Sequence, residues 1–178
     1  VAKMACDRFF SIHPRRGTNT ILDSKSAVRL NTIVSSLGTS STKKKHTKGG
    51  GLIRTIDGNI LVGPDAVETY EKENFATTEK SVTDVFDKQR RTDPALRFNE
   101  AITYFTGVRA ATYEEDFVIR KGRRTKNIVH AAGIQSPGIT AAPAIAVDVA
   151  KMASEVLACS HPVGRNQNFN PIRKGIIR

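Results

Sequence analysis

The chain has 178 residues, with 28 Lys and Arg against 17 Asp and Glu for a net charge of +11, and it is 39% apolar and 6% aromatic. That length supports one domain, or a domain with a fragment of another, in which roughly 70% of the unfolded surface can be buried. Two cysteines, Cys6 and Cys159, exclude a disulfide scaffold; the composition excludes a collagen-like or wholly disordered chain, and no apolar run is long enough for a transmembrane helix.

The elements follow in chain order. Val1 to Cys6 reads as the end of a helix too short to stand alone. Phe9-Phe10-Ser11-Ile12 is strand-like, and Pro14-Arg15-Arg16-Gly17 punctuates it. Thr18 to Leu22 is a second strand, after which Asp23 opens a polar turn. Leu30 to Leu37 alternates well enough to predict a third. Gly38 to Gly51 contains no apolar residue and reads as a loop. Leu52 to Ile56 and Asn59 to Val62 flank Asp57-Gly58, which predicts a hairpin with a two-residue turn, stopped by Gly63-Pro64. Ser81 to Arg91 is a predicted helix with Ser81 as N-cap and Val82, Val85 and Phe86 on one face.

Ala101 to Val108 and Phe117 to Arg120 are predicted strands, and Lys121 to Lys126 is a basic turn. Asn127 to Ala132 is a strand of buried type. It enters Gly133-Ile134-Gln135-Ser136-Pro137-Gly138, and an Ala-rich helix runs from near Thr140 to Ala158. Ile145, Val149, Met152 and Val156 share one side of that helix, and Pro143 is tolerated because it falls in the first turn. His161 to Arg178 reads as a polar, basic linker. The order is mostly β, then α, then β, then strand–loop–helix, which is an α+β pattern without internal repeats.

The charge excess points to anionic partners. The strand–loop–helix is the most informative place to look for one. A Gly-bordered turn before a helix presents backbone N–H groups and about half a positive charge to a phosphate or an anionic ring; it can equally be an ordinary turn that binds nothing. Arg109 ends a strand, where a guanidinium can hold a carboxylate or phosphate bidentately or make a surface ion pair; Arg15 and Arg16 pose the same alternative. Lys43 to Lys48 and the turn at Arg123-Arg124 could grip phosphates or be solvated loops, so a basic, non-enzymatic module for nucleic acid or another polyanion is the second class of function. His13, His46, His130 and His161 share no metal-ligand spacing, and no metal site is expected; His130 reads as a satisfied core or interface residue. No G-x-G-x-x-G occurs.

Three ordered stretches carry a family resemblance: Pro14-Arg15-Arg16-Gly17 with Leu22-Asp23; Asp57 to Pro64; and Phe105-Thr106-Gly107-Val108-Arg109, Asp116-Phe117-Val118-Ile119 and Ala132 to Thr140. Together they resemble the FAD-dependent oxidoreductases of the D-amino acid oxidase superfamily, on the branch of glycerol-3-phosphate dehydrogenase and L-2-hydroxyglutarate dehydrogenase. The resemblance implies an α+β fragment, mainly an antiparallel substrate-binding sheet plus the C-terminal strand–loop–helix of an FAD-binding, Rossmann-like domain. Its implied boundaries are 1–6 for the end of an FAD-domain helix, 7–125 for the substrate-binding domain, 126–158 for the FAD-domain piece and 159–178 for a linker. The half with the dinucleotide fingerprint would be missing, in keeping with a chain that begins at Val1, and the isolated chain is expected to be inactive and not to retain FAD.

The resemblance further implies FAD as cofactor of the full-length parent, with Gly107, Gly133, Ser136, Gly138, Ile139 and Thr140 beside it and Arg109 on the substrate's anion. The substrate would be glycerol 3-phosphate or a 2-hydroxy acid. No catalytic base is identified. The implied partners are a small anionic substrate and an electron acceptor, with no specific nucleic acid, in the cytoplasm or peripheral to a membrane. Two positions depart from the family pattern. Asn19 stands where an aromatic residue is usual, and Ala110 follows Arg109 where Pro is usual.

Overall fold

The longest pairing in the molecule runs through a segment whose sequence argues for a break. In a computed structural model that describes residues 1–26, 28–35 and 49–172, strand β1 spans Ile12–Leu22 without interruption. Phe9 to Ser11, expected as strand, lie outside it. Pro14 has no N–H to donate, and Gly17 has no side chain to pack. Yet Pro14 pairs with Ala110 and Gly17 with Gly107, inside an antiparallel register that runs from Ile12–Thr112 to Leu22–Ala101. Pairing with a long neighbour overrides the local break signal. That neighbour, β5 (Ala101–Thr112), correspondingly runs four residues past the expected end at Val108.

The other edge of β1 is shared. Thr20 to Leu22 pair with β3 (Ile60–Gly63), and Arg15 and Arg16 pair with the two residues of β4 (Val67–Glu68). Strand β2 (Gly51–Arg54) pairs outside β3 to complete a five-stranded antiparallel sheet. The β2–β3 hairpin forms as expected, with a longer loop. Gly58 N–H donates to Thr55 O and Thr55 N–H to Asn59 O, so Gly58 alone takes positive φ, at 86°, behind a turn through Ile56 and Asp57. The expected strand at Leu30 to Leu37 reduces to one bridge, Val34 to Leu52, among the described residues; Val28 is buried in the core and Leu30 packs against it. Of the expected loop at 38–51, residues 38–48 lie outside the described residues.

Alternation along β1 sends Thr18, Thr20 and Leu22 to one face, and His13, Arg15, Gly17 and Asn19 to the other. The first face is closed by helix α1 (Glu79–Gln89), whose Val82, Val85 and Phe86 join Leu22, Leu52, Ile60, Val62 and Leu96 in the core. The helix starts two residues before the expected Ser81. Its N-cap is Thr78, whose hydroxyl accepts Ser81 N–H at 3.2 Å. The second face carries the candidate site.

Contacts divide the chain into two compact units: Phe10–Phe117 with Ala132–Gly138, and Val1–Phe9 with Val118–Ala131 and Ile139–Arg178. In the latter, β6 (Val118–Lys121) pairs with β7 (Val129–Ala132), and Val1 to Cys6 forms turns closed by Ala5 N–H to Val1 O and Cys6 N–H to Lys3 O. Helix α2 (Gly138–Ala158) begins two residues earlier than expected, so Pro143 falls in its second turn. Ile145, Val149, Met152 and Val156 are half-buried on one stripe, and no residue of α2 is buried. The architecture is α+β, mainly antiparallel, with two α-helices among the described residues.

Candidate active site

The site grows from two arginines that the β1–β5 register places side by side, Arg15 opposite Arg109. Their surroundings give them different roles. Arg15 has a side chain only 2% exposed and is fully compensated. Its Nε donates to Glu68 Oε1 at 2.7 Å, and its two terminal nitrogens grip Glu115 at 2.5 and 3.0 Å. Hydrogen bonds to the Glu115 carboxylate, against the cost of burial, raise the Arg15 pKa further, so it is a permanent cation. Glu68 is pushed up by burial but is held below the usual carboxylate range by Arg15 and by His13, whose Nδ1 lies 2.9 Å from Glu68 Oε2. His13 Nε2 lies 2.9 Å from Thr112 O, and the ring stacks on Tyr113 with centroids 4.5 Å apart. Arg15 is therefore a buried structural cation rather than the surface ion pair or free anion receptor that the sequence left open.

Arg109 is the opposite case. Its guanidinium donates to the backbone carbonyls of Asp65 at 3.2 Å and Arg16 at 3.5 Å, and no side-chain carboxylate pairs with it among the described residues. It lies flat over Gly17, where a Cβ would stand 2.4 Å from Nη2. Burial lowers its pKa, partly opposed by the Asp65 charge and reinforced by that of Arg15. A partly desolvated cation aimed by backbone carbonyls, with no carboxylate against it among the described residues, gains strongly from an incoming anion. Arg109 lines a cleft of about 800 Å³ that also touches Arg15, Pro64, Glu115, Ser136 and Pro137. The Gly63–Pro64 and Ser136–Pro137 bonds on its wall are both cis.

The elbow between β7 and α2 therefore reaches the same cleft as Arg109. Gly133 is buried with φ 65°, and a Cβ there would come within 2.6 Å of Thr112 Cγ2, so glycine is required by internal packing. Gln135, absent from the expected site residues, lines the cleft and donates to Glu115 at 2.9 Å. Gly138 opens α2, and Ile139 and Thr140 in its first turn are exposed, Ile139 at 95%. Gly107 lies on β5 where a Cβ would meet nothing within 4 Å. Of the positions that depart from the family pattern, Asn19 turns its amide oxygen to Gly63, and Ala110 is exposed opposite Pro14.

The other unit has its own polar centre. Asp7 is buried, and its carboxylate accepts the N–H groups of Arg123, Arg124 and Thr125 as well as His130 Nε2 at 2.7 Å. Burial raises its pKa, but the Arg124 amide, His130 and the two other amides outweigh this and bring it down to about 2. His130 also meets Phe9 edge-on, in accord with a satisfied core histidine. Arg123 stacks on Phe9 at 4.4 Å, so the basic turn is tied down rather than being a solvated loop. Lys43 to Lys48 lie outside the described residues.

Comparison with known proteins decides the family. The model of FAD-dependent oxidoreductases matches residues 1–152. The chain belongs to the FAD-dependent oxidoreductase family. Within it, the chain is 31% identical over 176 residues to a glycerol 3-phosphate dehydrogenase of Caloramator mitchellensis, covering 99% of this chain and 35% of that protein. It is 33% identical over 158 residues to a glycerol 3-phosphate oxidase of Mycoplasma genitalium, covering 88% of this chain and 39% of that protein. The structure of L-alpha-glycerophosphate oxidase from Mycoplasma pneumoniae with FAD bound superposes with a TM-score of 0.77 at 30% identity, over 85% of this chain and 39% of that one. L-proline dehydrogenase from P. horikoshii shares the fold, with a TM-score of 0.63 at 18% identity. This FAD-dependent oxidoreductase chain thus spans little more than a third of the length of the relatives it matches. No described helix is long and apolar enough to cross a membrane.

Several residues at these two polar centres escaped the sequence reading: Glu68, Glu115, Gln135 and Asp7. Each acts on a partner far along the chain, Glu115 on Arg15 at a separation of 100 residues and Asp7 on His130 at 123. No local spacing encodes such pairs. The available signals were the acidic run Glu114-Glu115-Asp116, which borders one family-like stretch, and Gln135 inside another.

Proposed function

We propose that this chain supplies the substrate cleft and the flavin-facing elbow of a longer FAD-dependent enzyme that oxidises glycerol 3-phosphate. The observation that carries the reading is Arg109: a guanidinium in a cleft, aimed by two backbone carbonyls and lacking a carboxylate partner among the described residues. A phosphate oxygen pair matches its fork. The similarity to glycerol 3-phosphate dehydrogenases and oxidases favours phosphate over the carboxylate of a 2-hydroxy acid.

The residues fit a flavin on this side of the site. Gly107 leaves the sheet bare where a flat ring could approach. Ser136 and Pro137 share the cleft with Arg109. The first N–H groups of α2 have no partner within the helix and carry the sign that suits an electron-rich ring edge, which supports assigning Gly138, Ile139 and Thr140 to that edge. Bound FAD supplies the hydride acceptor. The chain's own contribution is to hold the substrate's anionic end through Arg109 and to fix its distance from the elbow, which orients the carbinol carbon.

In the flavin-loaded full-length parent, Arg109→Ala is expected to raise KM for glycerol 3-phosphate about 100-fold, the loss of a bidentate charge-assisted contact, with Arg109→Lys between the two. Steady-state kinetics read this directly, and an unchanged KM removes Arg109 from the site. Anaerobic bleaching of the flavin by a panel of substrates tests the chemistry. Bleaching by a 2-hydroxy acid and not by glycerol 3-phosphate would move the substrate to the carboxylate class.

A further inference from the structure

We propose that Glu115 is a positioning residue that sets the spacing between the anion-holding arginine and the flavin-facing elbow; the inference rests on the flavin reading above. Glu115 takes a left-handed backbone conformation, φ 59°, at the end of a turn closed by its own N–H to Thr112 O at 3.2 Å. A non-glycine residue keeps that conformation only where its surroundings over-determine it. Thr112 locks the turn from the other side. Its hydroxyl donates to Asp116 O at 2.8 Å and accepts Asp116 N–H at 3.2 Å.

What the turn achieves is visible at the carboxylate. One oxygen, Oε2, accepts both Arg15 Nη1 at 3.0 Å and Gln135 Nε2 at 2.9 Å, while Oε1 takes Arg15 Nη2. The same carboxylate therefore joins β1, through the buried arginine paired opposite Arg109, to the elbow residue next to Ser136. The elbow backbone leans on the same turn. The space a Cβ on Gly133 would need is taken by Thr112 Cγ2, at 2.6 Å, and Asp116 O, at 3.1 Å. Arg109, Arg15, Glu115 and Gln135 thus form a continuous rigid path from the seat of the substrate's anion to the elbow. The separation of the two is set by hydrogen bonds rather than by loop length.

Two variants test this. Gln135→Leu cuts the link while leaving the Arg15–Glu115 pair intact; Glu115→Gln keeps the shape and removes the charge. In the chain without flavin, the amides between Gly133 and Gly138 should exchange about tenfold faster in either variant, with those of α1 unchanged. In the flavin-loaded full-length parent, kcat for glycerol 3-phosphate should fall about tenfold at nearly constant KM, because Arg109 still holds the anion while the carbinol carbon is misaligned. Unchanged exchange at the elbow, or unchanged kcat despite faster exchange, overturns the proposal. If Glu115→Gln fails to fold, Gln135→Leu decides alone. A full-length wild-type parent that binds no flavin sinks the reading beneath it and the inference with it, an outcome distinct from a functional wild-type parent with indifferent variants.

Discussion

Gly17 has one neighbour that matters, the Arg109 guanidinium 2.4 Å from where its Cβ would be. The clash falls on the far end of a flexible side chain, which can move without disturbing the sheet. Gly17→Ala is therefore expected to leave thermal stability nearly unchanged and to raise KM about tenfold or more by displacing the guanidinium. A normal KM with a normal melting temperature would show that the position of Arg109 over Gly17 is immaterial. Asp7 belongs to the other unit and acts on stability. Its folded pKa of about 2 lies below its ordinary 3.8, so its contribution is complete above pH about 4 and is lost as pH falls through about 2. Protonation removes the acceptor for the amides of Arg123, Arg124 and Thr125. Amide exchange in the 122–130 segment should accelerate over that interval in the wild type. In Asp7→Asn it should be fast at neutral pH and flat across the acid range.

At the level of elements, α1 closes the core face of the sheet, and its entry is fixed by one hydroxyl. Thr78 Oγ1 accepts the Ser81 amide and also donates to the Ser81 hydroxyl at 3.0 Å. Thr78→Ala should cost about 1 kcal/mol, read as a lowered urea midpoint at constant slope. No change in midpoint would mean that packing of Val82, Val85 and Phe86 alone sets the start of the helix. The β1–β5 ladder matters in another way. Its register puts Arg15 beside Arg109 and Gly17 beside Gly107, so a one-residue slip would put the two arginines on opposite faces of the sheet. The antiparallel sheet is thus the ruler of the site, and the turn after β5 transfers that ruler to the elbow.

For the whole molecule, the decisive quantity is extent. The chain matches about a third of its relatives' length and contains no G-x-G-x-x-G. The contacts that such a fingerprint makes with a pyrophosphate are not supplied by this sequence, so the chain purified alone is expected to be colourless in the flavin bands. A stoichiometric yellow protein would overturn that expectation and relocate the main FAD contacts to these residues. Several large apolar side chains on β5 are exposed, among them Ile102, Tyr104 and Phe105, and the apolar stripe of α2 is only half-covered. Both are properties of surfaces, and neither bears on the core that α1 closes.

The sequence alone determined whatever depends on neighbours along the chain: the α+β class, the Asp57-Gly58 hairpin, the apolar faces of α1 and α2, and the ordered stretches that carry the flavoenzyme likeness. Those signals are local periodicity and turn chemistry, which act over a few residues. Tertiary structure decided the rest. Pairing with β5 drew Pro14 and Gly17 into one continuous strand. Charges from Glu68 and Glu115, 53 and 100 residues away, turned Arg15 into a buried strut and left Arg109 as the cation facing the cleft. Whether an arginine is a strut or a receptor depends on which carboxylates fold against it, and that is fixed by packing in three dimensions, not by spacing in one.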